Sequence, residues 1–382
     1  FILLAIFVYQ ALAALWSLPV RLRRWRAFRR REKGYRALTR GLTAVAAGDA
    51  KAATKYATQT EQFLENDTGL PVLLKAQAAR LSGKEQEAQK SFLSLLENKD
   101  AAFLGVRGLL QAALDAGQDD EALTLAAQAL RLHPRQVWIL KLVYALEIRC
   151  GQWAQARATL TTLTRLGGMA AERAQAERTA LWLAEGDGLL AQGFRPKAMT
   201  AFSAAQRLSP FFVPAVLRMA RFYRQEGARR AAMRLLQKSW AMGPHPDLVE
   251  PWLALMPAEQ PRAAVERVRW LQRLGRQNPD HTETHLMLAR GAIDSGLWGE
   301  ARDHLIRVQQ DLNPDRRVYD LLARLEKESG GREEVVQRWE SKAATAPPAP
   351  PWVCSQSGRV YDRWEAIALP HMAFDSMVWA RP

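Results

Sequence analysis

The chain has 382 residues, 48% hydrophobic, with a net charge of +15 and two cysteines. Alanine, leucine and arginine dominate, and no segment alternates with period two over a useful length, which excludes a mainly β fold. Residues 21–33 hold eight bases and one acid, so about half of the charge sits in one short stretch and argues against a nucleic-acid partner.

Phe1–Leu18 carries no charge. Eighteen helical residues span about 27 Å, close to the roughly 30 Å of a bilayer core. The spacing predicts a transmembrane helix over residues 1–20, shortened at its start, because the chain opens on Phe1 and not on methionine. Directly after it come Arg21, Arg23, Arg24, Arg26, Arg29, Arg30, Arg31 and Lys33, relieved only by Glu32. A secretory signal carries its positive charge before the apolar stretch, whereas here it follows. The positive-inside rule then places the remainder in the cytoplasm, with residues 21–35 as a basic junction touching anionic headgroups.

From residue 36 a short pattern recurs. Gly48, Gly83, Gly117, Gly151, Gly193, Gly227, Gly296 and Gly330 are spaced by 35, 34, 34, 42, 34, 69 and 34 residues. Five residues after the first seven come Ala53, Ala88, Ala122, Ala156, Ala198, Ala232 and Ala301, and seventeen after several come Pro134, Pro210, Pro244 and Pro347. Glycine turns the chain between two helices, alanine lets the second approach the first, and proline stops the second. This pattern resembles the tetratricopeptide (TPR) repeat. The resemblance implies an all-α, right-handed helical-hairpin solenoid of about nine pairs over residues 36–345. Gly41, Gly186, Ala220 and Ala289 match the small residue expected along the first helix, while Leu110 and Tyr144 depart from it and predict looser pairs. The 42-residue interval puts about eight extra residues around Gly167–Glu177, as a longer loop or an extended helix. The 69-residue interval hides a degenerate copy, with Pro257–Pro261 in place of its turn glycine.

Residues 346–351 read as a stiff proline-rich linker. The tail, 352–382, resembles a rubredoxin or zinc-ribbon module in Trp352, Gly358, Trp364, Pro370, Phe374, Asp375 and Trp379. Of the four ligand positions, Cys354 keeps a thiol, while Ser357, Leu369 and Met372 replace the rest, and His371 adds one imidazole. That is too few donors for zinc or iron, so no metal and no cofactor is expected. The tail is expected to lay its tryptophans on the last repeat or to stay loose.

No phosphate-binding loop, dinucleotide fingerprint or nucleophile elbow is present, and no catalytic residue is assigned. His281 and His285 lie four apart at a solvated helix start with no third ligand evident. Cys150 and Cys354 lie far apart, which weighs against a disulfide. Trp153 and Trp298 stand two residues after their turn glycines, which predicts packing. In register with the repeat, the first-helix face carries Arg107, Trp138, Lys141, Arg149, Asp187, Arg221, Arg224 and Arg290. This mostly basic set is the candidate groove for a protein partner or an acidic ligand, porphyrin included. Lys141 matches one lysine of the carboxylate-clamp TPR domains, but Ala145 stands where their asparagine is expected, so that specificity is not carried over.

The apolar start, the arginine-rich junction, Gly34–Leu42 with Ala47-Gly48-Asp49, and the repeats together resemble the HemY-type bacterial inner-membrane proteins in an alphaproteobacterial form. The resemblance implies a non-enzymatic scaffold in the inner membrane, with partners among the enzymes of haem (protoporphyrin) synthesis. The alternative is a membrane-anchored TPR regulator of lipopolysaccharide and envelope assembly.

Overall fold

The computed structural model describes residues 25–64, 69–257, 263–310 and 314–380. These residues fall into two compact units, divided between Cys150 and Gly151. The predicted span Phe1–Leu18, with Arg21, Arg23 and Arg24, lies outside the described residues. Among the described residues no helix is long and apolar enough to cross a membrane.

The first unit begins with helix α1 over residues 25–46. It continues with α2 (Ala50–Phe63), α3 (Leu70–Leu81), α4 (Glu85–Leu95), α5 (Ala102–Asp115), α6 (Asp119–Leu132) and α7 (Val137–Arg149). Arg26, Arg29, Arg30, Arg31 and Lys33 stand exposed on α1. The second unit begins with α8 (Trp153–Arg165), α9 (Ala171–Ala191), α10 (Arg195–Leu208), α11 (Val213–Gln225) and α12 (Arg229–Met242). A 3-10 turn (Pro246–Leu248) leads into α13 (Val249–Leu253). There follow α14 (Ala263–Gly275), α15 (Thr282–Ile293), α16 (Trp298–Gln309), α17 (Arg316–Glu328) and α18 (Glu333–Thr345). Within each unit, helices pack chiefly on their neighbours in the chain. This is an all-α solenoid of TPR type, whose core is a chain of small overlapping clusters with no single centre.

All eight turn glycines lie between consecutive helices with φ of +67° to +83°, a region closed to most L-residues. The seven following alanines are fully or almost fully buried. At Gly186 an added Cβ would lie 2.3 Å from the ring of Phe202 on α10, so contact there requires glycine. Leu110 and Tyr144, expected to loosen their pairs, are themselves buried. On α5 a separate close approach, to the preceding helix α4, falls at Gly108, where a Cβ would meet Phe92 at 2.2 Å.

The two departures from the period take definite forms. The extra residues of the 42-residue interval extend α9 to 21 residues, against 14 or fewer in α2–α8 and α10–α18. In the degenerate copy, most of the expected replacement turn (258–262) lies outside the described residues. Its two helices are clamped by a reciprocal tryptophan pair. Trp252 Nε1 donates to the Trp270 carbonyl at 2.8 Å, Trp270 Nε1 donates to the Trp252 carbonyl at 2.9 Å, and the rings stack at 4.9 Å. Trp153 and Trp298 each lie against the glycine of the preceding turn, 3.9 Å from the position of an added Cβ.

After α18 the chain turns back. Arg316 N donates to the Pro347 carbonyl at 2.8 Å, pinning the linker to the start of α17. The tail forms five short strands: β1 (Trp352–Cys354), β2 (Val360–Tyr361), β3 (Ile367–Ala368), β4 (Ala373–Phe374) and β5 (Met377–Trp379). Strands β2-β1-β5 make an antiparallel sheet, with Trp352 opposite both Tyr361 and Trp379, and β3-β4 make a separate hairpin.

Enlarging Ala198 or Ala232 to leucine is expected to overpack a helix pair and cost about 1–3 kcal/mol. The loss should stay local, because neighbouring repeats carry the coupling. Denaturant titration with hydrogen exchange checks this. A wild-type melt for both variants would contradict the assigned packing.

Candidate functional site: a tail-capped basic cavity

The tail lies on the middle of the second unit, not on the last repeat as expected. Trp352, Cys354, Trp364, Ala368, Ala373 and Met377 share one core with Ala180 and Leu183 of α9 and Ala215 and Met219 of α11. The reason is in the two departures from the period. The extension of α9 carries Arg173, whose Nη2 donates to the Phe374 carbonyl at 3.2 Å and whose Nη1 lies 3.9 Å from Asp375 Oδ2. The irregular segment before α13 supplies His245 and Asp247. Trp352 Nε1 donates to Asp247 Oδ2 at 3.2 Å, and the His245 ring lies 4.2 Å from that of Trp379. Phe212 meets Trp364 edge-on at 5.2 Å, and Arg218 lies over Trp364 while binding Asp187 at 2.6 Å. The last repeat offers neither feature.

The four positions compared with metal ligands are scattered in character. Cys354 is fully buried, with its Sγ 3.3 Å from Ser376 Oγ. Hydrogen bonds from Ser357 and Ser376 pull the thiol down to about 7, against its burial. Ser357 is exposed, and Leu369 and Met372 are exposed beside a cavity. Among the described residues no group of three or more His, Cys, Asp or Glu could hold a metal ion.

Two cavities flank the docked tail. The first, about 610 Å³, lies between tail and repeats. Trp153 and Ala184 line it from the repeats, and Trp352, Trp364, Leu369 and Met372 from the tail. The second, about 920 Å³, is walled by α11, α13, α15 and α17, with Asp362 and Arg363 of the tail at its edge. Three predicted groove residues meet here: Arg221, Arg224 and Arg290. All three are exposed, and no ion pair engages them among the described residues.

Arg317 and Arg324 of this cavity are already paired. Arg317 binds Glu283 at 2.5 Å and Asp315 at 2.7 Å. Burial pulls Arg317 down, but hydrogen bonds to Asp315 and Glu283 outweigh it and leave the guanidinium above its ordinary range. Arg324 is held by Asp294 and Glu328. Arg267 joins the unpaired cations, against Glu250 and Asp362 as acids without an ion pair among the described residues.

Arg107, Trp138, Lys141 and Arg149 belong to the first unit. Arg107 and Lys141 are exposed, Trp138 packs edge-on against Phe103 at 6.2 Å, and Arg149 binds Asp119 at 2.8 Å. Asp187 lines the first cavity, held by Arg218. One other expectation changes. His285 is buried, not solvated, because His304 of α16 faces it with the two Nδ1 atoms 3.0 Å apart. His281 caps α15 by accepting from Glu283 N at 3.1 Å. Arg229 is exposed on α12, donates to the Leu255 carbonyl at 2.8 Å and lies over Trp270. The residues missed by sequence reasoning were Arg173, His245, Asp247, Arg267 and Arg363. The lengthened α9 and the irregular copy were the only signals pointing near them.

Residues 1–83 match the family described as HemY protein N-terminus. Over 372 residues the chain is 25% identical to the probable magnetosome protein Mms48 of Magnetospirillum gryphiswaldense, covering 96% of this chain and 79% of that protein. Among solved structures, a tetratricopeptide repeat protein from Parabacteroides merdae aligns at 16% identity over 67% of this chain and 93% of its own, with a TM-score of 0.28. The TPR2AB domain of yeast Sti1 in a pHSP90 complex aligns at 13% identity over 82% and 99%, with a TM-score of 0.33.

Burial raises the carboxyl of Asp375 to about 6, against the pull of Arg173 and with the push of Glu177. The docked tail therefore holds this proton more tightly than a released one. That contribution to docking is complete below the ordinary carboxylate range and is lost as pH rises through about 6. Hydrogen exchange of tail amides should show docking weaken across that window. Asp375→Asn suits the left-handed φ of 44° at this position and should flatten the profile. A wild-type tail that docks more firmly as pH rises would mean that Arg173 dominates.

Proposed function

We propose that this protein is a non-enzymatic TPR-type scaffold, anchored at the bacterial inner membrane with its repeats in the cytoplasm. In this reading the cavity of the second unit receives an acidic segment of a partner protein. The observation that carries the reading is the convergence of Arg221, Arg224 and Arg290 in one cavity without acidic partners of their own among the described residues. An unpaired cation cluster on a preformed surface attracts and orients carboxylates, and its effect weakens as salt rises. The match of residues 1–83 to the HemY N-terminal family supports partners among the enzymes of haem synthesis.

Charge reversal of Arg221 and Arg224 together is expected to weaken partner capture several-fold. Arg230→Glu serves as the control on the second-helix side, in place of Arg229, whose guanidinium braces Leu255 and Trp270. Affinity purification from membranes, quantified for each variant, reads the result. Equal losses at both places would reduce the interaction to general charge. Recovery of a reproducible partner set without haem-pathway enzymes would remove that assignment and leave the scaffold.

The same purification reports on the anchor. The protein should stay with membranes in high salt. Release by salt alone would assign attachment to the basic stretch 21–33 and not to a span over Phe1–Leu18.

A further inference from the structure

The two cavities beside the tail have different chemistry and a common border. Leu217, Arg221, Asp247 and Arg363 line both. On one side of Arg221 lie unpaired guanidinium groups. On the other lie Trp352, Trp364, Leu369 and Met372 of the tail, over Ala184 and Trp153 of the repeats.

The cations of the apolar cavity are mostly neutralised where they stand. Arg218 takes both carboxylate oxygens of Asp187, and Arg363 lies 3.1 Å from Glu365. Asp247 accepts from Trp352. That leaves Arg221 as the cation at the border without an ion pair among the described residues. Leu369 is 55% exposed and Met372 is 40% exposed, so the tail spends two large apolar side chains on a mouth that water alone would not reward. Trp364 is 4% exposed, and its buried indole N–H finds no acceptor among the described residues. Leaving a buried donor of this kind without an acceptor is unfavourable. A peptide carbonyl is the sort of group that would satisfy it.

We propose that the two cavities form one bipartite site for a protein segment that sets two or more carboxylates beside a bulky apolar residue. The carboxylates face Arg221, Arg224 and Arg290, and the apolar side chain enters under the tail. The tail is then part of the recognition surface as well as a cap on the repeats. This rests on the acidic-segment reading above and adds the apolar half to it.

The test uses the whole protein and three fluorescein-labelled peptides, read by fluorescence polarisation. The first carries four glutamates followed by phenylalanine. The second replaces phenylalanine with serine, and the third replaces the glutamates with glutamine. The first should bind at least five-fold more tightly than either of the others. Arg221→Glu with Arg290→Glu should remove the advantage of the glutamates. Leu369→Glu, at an exposed position that carries little folding risk, should remove the advantage of phenylalanine and spare the second peptide. If the phenylalanine and serine peptides bind alike, the bipartite site falls while the arginine cavity stands. If all three bind alike and the arginine reversals change nothing, the acidic-segment reading falls with it.

Discussion

Everything in this molecule depends on how closely the two helices of a pair can approach. The alanine five residues beyond seven of the eight turn glycines is buried, and at Gly186 even a methyl group would collide with Phe202. Close approach of this kind gains dispersion contacts along the whole pair and fixes its register. The turn glycine is the other half of the constraint. At φ near +70° the chain reverses in a few residues, so the second helix starts where the small residue is useful. Repeats built this way bury their apolar faces only against each other.

The irregular repeats serve a different purpose. Leu183, Ala215 and Met219 of the first helices share their core with the tail, and uniform pairs alone do not make that docking. The added turns of α9 and the broken start of α13 instead present Arg173, His245 and Asp247 to the tail, and the tail covers that surface. Loss of the turn glycine in the degenerate copy is offset by the Trp252–Trp270 clamp, where each indole satisfies the carbonyl of the other residue. So the places where the pattern fails are those where the fold does something other than repeat.

Local constraints were legible in the sequence, and distant ones were not. The glycine, alanine and proline positions act within one repeat, over separations that a periodic pattern records directly. That Arg221, Arg224 and Arg290 line one cavity follows from the same register, since a fixed helical register places side chains on one face. The tail escaped because Trp352 finds Asp247 across 105 residues and Arg173 finds Phe374 across 201, with no period to connect them. His285 was misread because its partner, His304, belongs to another helix.

The lateness of the tail in the chain has a bearing on synthesis. The surface made by α9 and α11 is complete long before residues 352–380 have been added. For that interval the core that Leu183 and Met219 share with the tail is incomplete. Closing a contact across some 200 residues costs conformational entropy that only a finished array can offset. Residues 352–380 therefore end that interval, and repeats made without them keep an incomplete core that invites aggregation.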